Sequence, residues 1–428
     1  MLSTLKKIIP APLFKMIEPL YHFMFAMIGA IRFGFPSRQL VVIGITGTKG
    51  KTSTAEFLDH ILTANGAKTA VLGTLHFKIG EKDTRNMKKM TMPGRFFIQS
   101  FLRDAVNAGC THAIIEMTSE GARQYRQRFI DMDALIFTNL SPEHIERHGS
   151  FENYRDAKLS IARTLARSSK HRKLLVVNAD DDSAELFLAV QGVISTTYAK
   201  HNMHDIVADA KHFSFTWNNN HIEGYLPGLF NAYNALAAAT CAHELAIPVQ
   251  SIAEGIAATK LIRGRAEHIN CWQPFPVVVD YAHTPDSLIA LYEAFKGYKI
   301  IAVLGNTGGG RDTWKRPEMG KIADQYCEHI ILSNEDPYDE DPRAIINAMK
   351  SAIVIKPCEV ILDRREAIKK ALELAKDIPY AAVLLTGKGT DPYIMGPNGS
   401  KMDWDEATVA REELEKFGYT CSTEKTNA

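Results

Sequence analysis

From residue 40 onward the chain alternates short apolar runs with longer segments of helical period. The runs fall at 40–45, 69–75, 112–117, 134–140 and 174–179, then at 276–282, 300–305, 329–335 and 382–389. Most are rich in β-branched residues, end in polar residues or glycine, and lead into a helical stretch. That rhythm predicts an α/β protein with mostly parallel sheets whose ligands gather at the C-terminal ends of the strands. Between 190 and 230 the texture shifts to shorter, more polar strands around a Trp217–His221 turn, which predicts a local antiparallel excursion. An alanine-rich helix follows at 231–246. Where Arg263-Gly264-Arg265 gives way to Pro274 and Pro276, a second α/β unit begins. The expected divisions are an apolar helical segment at 1–38, a central unit at 39–265 and a C-terminal unit at 266–428.

The apolar stretch at 13–31 is interrupted by Lys15, Glu18, Pro19 and His22, and is too short and broken to span a bilayer. Three readings stand for it: a helix packed on the first domain, an interfacial membrane helix flanked by Lys6, Lys7 and Arg32, or a helix that docks a partner. A chain of 428 residues has room for two or three domains with ample core. The net charge of +1 gives no reason to expect nucleic acid. Cysteines 110, 241, 271, 327, 358 and 421 show no metal-site spacing, which predicts reduced, mostly buried thiols in a cytoplasmic protein.

The chemistry concentrates at 44–53, Gly-Ile-Thr-Gly-Thr-Lys-Gly-Lys-Thr-Ser, between a buried strand and a helix. Gly47 and Gly50 let the backbone curl so that N–H groups, with those of Thr48, Lys49 and Ser53 nearby, face a phosphate. Lys51 can reach the terminal phosphates and the Thr52 hydroxyl can ligate Mg²⁺. Ile45 stands where the strict phosphate-loop pattern has glycine, so this is a variant loop. It predicts use of ATP or GTP. Glu116, at the mouth of its strand, suits a second Mg²⁺ or its water shell. The segment 137–158 adds Asn139, Glu143, His144, His148 and Lys158.

The strings GITGTKGKTS, EMTSEG, TNLSPEHIERHG, NYRDAK, LFNAYNALAAA, DYAHTPDSL, RDTWKRPEMG and TGKGTDPY stand in an order and spacing that resembles the Mur ligase superfamily. DYAHTPDSL and Thr91-Met92-Pro93 look most like its tripeptide-synthetase branch. The resemblance implies a P-loop central ATPase domain with a mostly parallel sheet, plus a C-terminal Rossmann-like α/β domain. It implies an ATP-dependent ligase that activates a carboxylate as an acyl phosphate and lets an amine attack it. Lys51 would hold the β/γ-phosphates and Thr52 one Mg²⁺. Glu116 and His144 would ligate the second, and Lys158 would be the lysine that is carbamylated to N6-carboxylysine. Asn139, Asn231 and Asn234, with Asp280, Tyr281 and His283, would surround the nucleotide, and Arg311, Asp312, Lys315 and Arg316 would face ATP and the developing charge. The acceptor would meet Thr91, Pro93, Thr118 and Ser119. The incoming amine would meet Asp336, Tyr338, Gly387 and Asp391.

Four departures qualify the likeness. About 40 residues precede the first strand, too few for the family's UDP-sugar domain. Tyr338 replaces an arginine that clamps the amino acid's distal carboxylate in diaminopimelate-adding members, and a tyrosine cannot mimic that fork. Asp391 replaces a glutamate, and Glu143 an aspartate. The expected partners are small molecules (ATP, an amino acid and a muramyl-peptide-like acceptor) bound by a cytoplasmic monomer with membrane contact open through 13–31. The alternatives are a ligase with a folate-polyglutamyl or cyanophycin-like acceptor, and a silent nucleotide-binding scaffold. A plain P-loop kinase or GTPase would need a small lid domain or a guanine-reading motif, which the chain lacks.

Overall fold

A computed structural model describes residues 11–143 and 145–421, with side chains from residue 17 onward. The chain divides into two compact units. One gathers residues 1–143, 148–202 and 234–256, and the other residues 144–147, 203–233 and 257–428.

The first unit is built on an eight-stranded sheet in the order β4-β3-β2-β5-β1-β6-β7-β8. Its strands are β1 (Val41–Thr46), β2 (Thr69–Leu72), β3 (His76–Ile79), β4 (Lys82–Arg85), β5 (His112–Met117), β6 (Ala134–Phe137), β7 (Leu174–Asn178) and β8 (Ile194–Tyr198). From β2 to β8 every pairing is parallel. Only β3 and β4 turn back as an antiparallel hairpin at one edge. Helices on both faces explain why β1, β5 and β6 read as nearly unbroken apolar runs. In register, Thr46 lies opposite Met117 on one side and Phe137 on the other. The loops leaving these three strands therefore open at one level.

Two helices of this unit pack against each other. Helix α1 (Ala11–Arg32) contains Pro19 and packs its His22, Ala26 and Ala30 side inward. Gly29 lies against the first turn of a second helix at Arg95–Asn107. Arg95 reaches the His22 Nδ1 at 2.6 Å, and Arg103 donates to the Phe33 carbonyl at 2.9 Å. From His22 to Ala30 one side of the helix is thus packed on the first unit, as the first of the three readings expects. Among the described residues no helix is long and apolar enough to cross a membrane.

The second unit holds an antiparallel sheet of β9 (His204–Ala208), β10 (Phe213–Trp217) and β11 (Asn220–Gly224), the excursion expected from the polar texture. Its main sheet runs β12-β13-β17-β14-β15-β16. The strands are β12 (Glu267–Ile269), β13 (Val277–Asp280), β14 (Lys299–Leu304), β15 (Cys327–Leu332), β16 (Cys358–Val360) and β17 (Ala381–Thr386). Only β12 is antiparallel. Arg364 and Glu406, both buried, form a two-pronged ion pair at 2.6–3.0 Å, and Arg364 also donates to the Thr386 carbonyl at 2.7 Å. The sulfurs of Cys271 and Cys421 lie side by side, and Cys110, Cys241 and Cys327 are free and buried. Chain spacing could not show that a turn after β12 and the C-terminal segment meet.

The β3–β4 hairpin carries an unpredicted charge cluster. His76 bonds Glu56 at 2.9 Å and Asp83 at 2.7 Å, and Lys78 pairs with buried Asp59. Burial disfavours the imidazolium, but Glu56 and Asp83 outweigh it and raise the His76 pKa to about 10. The folded value exceeds the unfolded one, so this stabilisation is complete below about pH 6.5 and is lost as pH rises through about 10. Denaturant titrations should show wild-type stability falling across that window. His76→Gln should cost about 2–4 kcal/mol at pH 6 and flatten the dependence.

Candidate active site

The loop after β1 owes its shape to two glycines in the left-handed region, Gly47 (φ 151°) and Gly50 (φ 82°). A Cβ at Gly47 would collide with Thr138 Oγ1, and one at Gly50 with the Asn234 amide oxygen. Close approach therefore demands glycine at both positions. The segment leaving β6 laces the loop in place. Thr48 N–H donates to the Asn139 carbonyl at 2.8 Å, Lys49 N–H to Asn139 Oδ1 at 2.9 Å, and Thr138 Oγ1 to the Lys49 carbonyl at 2.7 Å. Lys49 Nζ reaches Glu143 at 3.1 Å.

Lys51 opens helix α2 (Lys51–Ala64), and its ammonium folds back onto the carbonyls of Gly47 (2.8 Å) and Thr48 (2.9 Å). Next to it, Thr52 Oγ1 donates to Glu116 Oε2 at 3.0 Å. Glu116 is buried and also accepts from Thr74 N–H (2.7 Å) and Thr74 Oγ1 (3.0 Å), while Thr74 bonds Thr91 at 2.8 Å. Ser53 is buried in the same turn. Hydroxyl and carboxylate oxygens 3 Å apart beside a phosphate loop are the hard donors that Mg²⁺ takes while keeping other positions for water and phosphate. Those residues fit the ion. Among the described residues no group of three His, Cys, Asp or Glu side chains could hold a metal by itself. His144 lies outside them.

Lys158 sits on the helix Phe151–Ala166 and is 2 % exposed. Its Nζ donates to the Gly47 carbonyl at 2.6 Å and lies 4.8 Å from the centre of the Tyr154 ring. Burial first, then the ammonium of Lys51, drives its pKa well below that of an ordinary lysine, against the pull of Glu143. Sequence reasoning passed over Tyr154. Its hydroxyl meets Thr48 Oγ1 at 2.9 Å, and its spacing of four from Lys158 on a helix was the available signal. Arg126 was passed over too. It grips the Met92 carbonyl and Gln124 Oε1 (2.7 Å), tying Pro93 and its neighbours to the Thr118–Ser119 turn, which Thr118 Oγ1 caps by accepting from Gly121 N–H at 3.1 Å. Cations at 123 and 126, soon after Glu116, were the clue.

In the second unit Asp280 ends β13, and its carboxylate accepts from Ala266 and Ala282 N–H, both at 2.6 Å. It shapes the turn that carries Tyr281 and His283. Arg265 stacks on the Tyr281 ring at 4.5 Å, and the charge of Asp391, then burial, raises the Tyr281 pKa well above a normal phenol. Gly387 N–H donates to the Asp280 carbonyl at 3.1 Å. Buried Lys388 pairs with Asp336 at 2.9 Å and stands 3.6 Å from Asp391. Arg311 stacks on Tyr338 at 4.5 Å, which sets a guanidinium beside the position where arginine is missing. Asp312 and Lys315 are buried, and Arg316 is held by Glu340 at 2.5 Å. The Asn231 amide donates to the Pro227 carbonyl at 2.8 Å.

The Mur ligase middle-domain model matches residues 45–242, and the Mur ligase glutamate-ligase-domain model matches 264–389. A UDP-N-acetylmuramyl-tripeptide synthetase of Roseiflexus sp. (strain RS-1) is 37 % identical, over 92 % of this chain and 82 % of its own length. A UDP-N-acetylmuramoyl-L-alanyl-D-glutamate–2,6-diaminopimelate ligase of Bacillus licheniformis is 35 % identical, over 89 % and 80 %. A solved structure of a ligase of that same name superposes with a TM-score of 0.61 at 28 % identity, over 89 % and 79 %. A folylpolyglutamate synthase of Mycobacterium tuberculosis shares the fold, with a TM-score of 0.69 at 18 % identity, over 85 % of this chain and 91 % of its own. Fold and relatives define an ATP-dependent ligase that forms carbon–nitrogen bonds. More particularly, the chain belongs to the Mur ligase family.

Gly47→Ala should abolish nucleotide binding in a calorimetric titration with ADP and Mg²⁺. Gly94→Ala, at a position with open space and ordinary backbone, should bind as wild type and keep its stability to within about 0.5 kcal/mol.

Proposed function

We propose that this protein adds an amino acid to a UDP-muramyl-peptide in peptidoglycan synthesis, in the cytoplasm and as a monomer. The names of its relatives over most of their length support that acceptor. The observation that carries the chemistry is Lys158, a buried amine held against the phosphate loop with its pKa driven well down.

A carboxylate is a poor electrophile, and phosphorylation gives it a leaving group. In this reading the 39–265 segment binds ATP. Gly47, Thr48, Lys49, Gly50 and Ser53 cradle the phosphates, Lys51 swings from the Gly47 carbonyl to the terminal ones, and Asn139 and Asn234 hold the loop's shape. Thr52 and Glu116, joined by His144, would hold Mg²⁺, which supplies charge neutralisation for the γ-phosphate and the acyl oxygen. A neutral Lys158 amine is the form that attacks CO₂, forming a carbamate and releasing a proton. The product turns a cation into an anion beside the metal site. Thr91, Pro93, Thr118 and Ser119, backed by Arg126, would seat the acceptor. In the 266–428 segment Asp336, Tyr338, Gly387 and Asp391 would receive the amine, and Tyr281, His283, Arg311, Asp312 and Lys315 would serve the nucleotide.

The test is phosphate release from ATP with a UDP-muramyl-dipeptide and either diaminopimelate or lysine, with the product weighed by mass spectrometry. Release that needs acceptor and amine together supports the ligase. ATP binding without turnover on any combination would sink it in favour of a scaffold. Lys51→Ala should lower turnover by about a hundredfold or more. Lys158→Ala should fall comparably and recover in part with added short carboxylates. Full activity of that variant without them would remove the lysine from the mechanism.

A further inference from the structure

We propose that the outer face of α1 docks the protein on an anionic lipid surface. The helix is apolar on two opposite sides. His22, Ala26, Gly29 and Ala30 are buried within the first unit. On the far side Ile17, Leu20, Met24, Ile28 and Ile31 are 39–59 % exposed. At 3.6 residues per turn those five fall within about a quarter of the helix circumference, along roughly 21 Å of its length. Phe23, 38 % exposed, borders the stripe. A monomer rarely leaves so continuous an apolar strip to water.

Charge selects the occupant. Residues 1–32 hold Lys6, Lys7, Lys15 and Arg32 against Glu18 alone, a net of +3 in a chain whose total is +1. Glu18 lies beside His22 at 3.5 Å. A second copy of this chain would bring two such cationic segments together and repel. A bilayer rich in acidic headgroups attracts the cations and takes up the stripe. No span is required: α1 would lie in the interface plane with the first unit above it.

The test needs no turnover, so its outcome is independent of the ligase reading. The full-length protein is sedimented with phosphatidylcholine vesicles, plain or with about a third phosphatidylglycerol. We expect binding to the anionic vesicles that is about tenfold weaker on neutral ones and falls in high salt. Leu20→Ser/Ile28→Ser, with unchanged melting temperature, should lose about tenfold of that binding. No sedimentation with anionic vesicles overturns the proposal, as does undiminished binding of the double variant. So does a wild-type dimer in light scattering that the variant abolishes, which would make the occupant a second copy.

Discussion

The site in the first unit depends on the in-register pairing of three parallel strands. Because β1 sits between β5 and β6 with Thr46 level with Met117 and Phe137, the phosphate loop, the Thr118 turn and the Thr138–Glu143 segment leave the sheet side by side. A slip of one residue would turn every side chain to the other face. It would part Thr52 from Glu116 and Thr48 from Asn139. The glycines, the lysines and the threonine all presuppose that register. The same logic holds in the second unit, where Asp280 lies level with Thr386 and so fixes Tyr281 beside the Gly387–Asp391 loop.

Around this frame the polar groups are arranged so that few can change alone. The Gly47 carbonyl accepts from both Lys51 and Lys158. Two lysines therefore share one acceptor oxygen, and the charge of Lys51 is one of the causes that hold the Lys158 pKa down. In the second unit Glu335 shows the complementary case: burial, then the Asp336 carboxylate, raises its pKa, so acid is concentrated there against Lys388 and Arg364.

Much of this was legible in the chain. The nine apolar runs became β1, β2, β5, β6, β7, β13, β14, β15 and β17, because a strand buried on both faces must be apolar throughout. What escaped was written in polar residues. The β3–β4 hairpin reads His-Phe-Lys-Ile and Lys-Asp-Thr-Arg: Phe77 and Ile79 alternate over only four residues and pack on the core's rim, while His76 and Lys78 meet Glu56 and Asp59. At the site, glycine spacing and lysine position pointed to Gly47 and Lys51, and the family likeness to Lys158. They could not reveal that Asp280 accepts from backbone N–H groups, that Arg311 covers Tyr338, or that Cys271 meets Cys421. Those are contacts between segments far apart in the chain.

The same hairpin has a consequence for the protein's behaviour in a crowded cell. Strand β4 forms one edge of the eight-stranded sheet, the kind of position at which another strand can add. Its residues Lys82, Asp83 and Thr84 are exposed, and the edge bristles with charge of both signs. A neighbouring chain would have to strip water from those ions before pairing. The segment least like a strand in its composition thus guards the sheet against fibrous growth, at the point where a more conventional strand would have been a hazard.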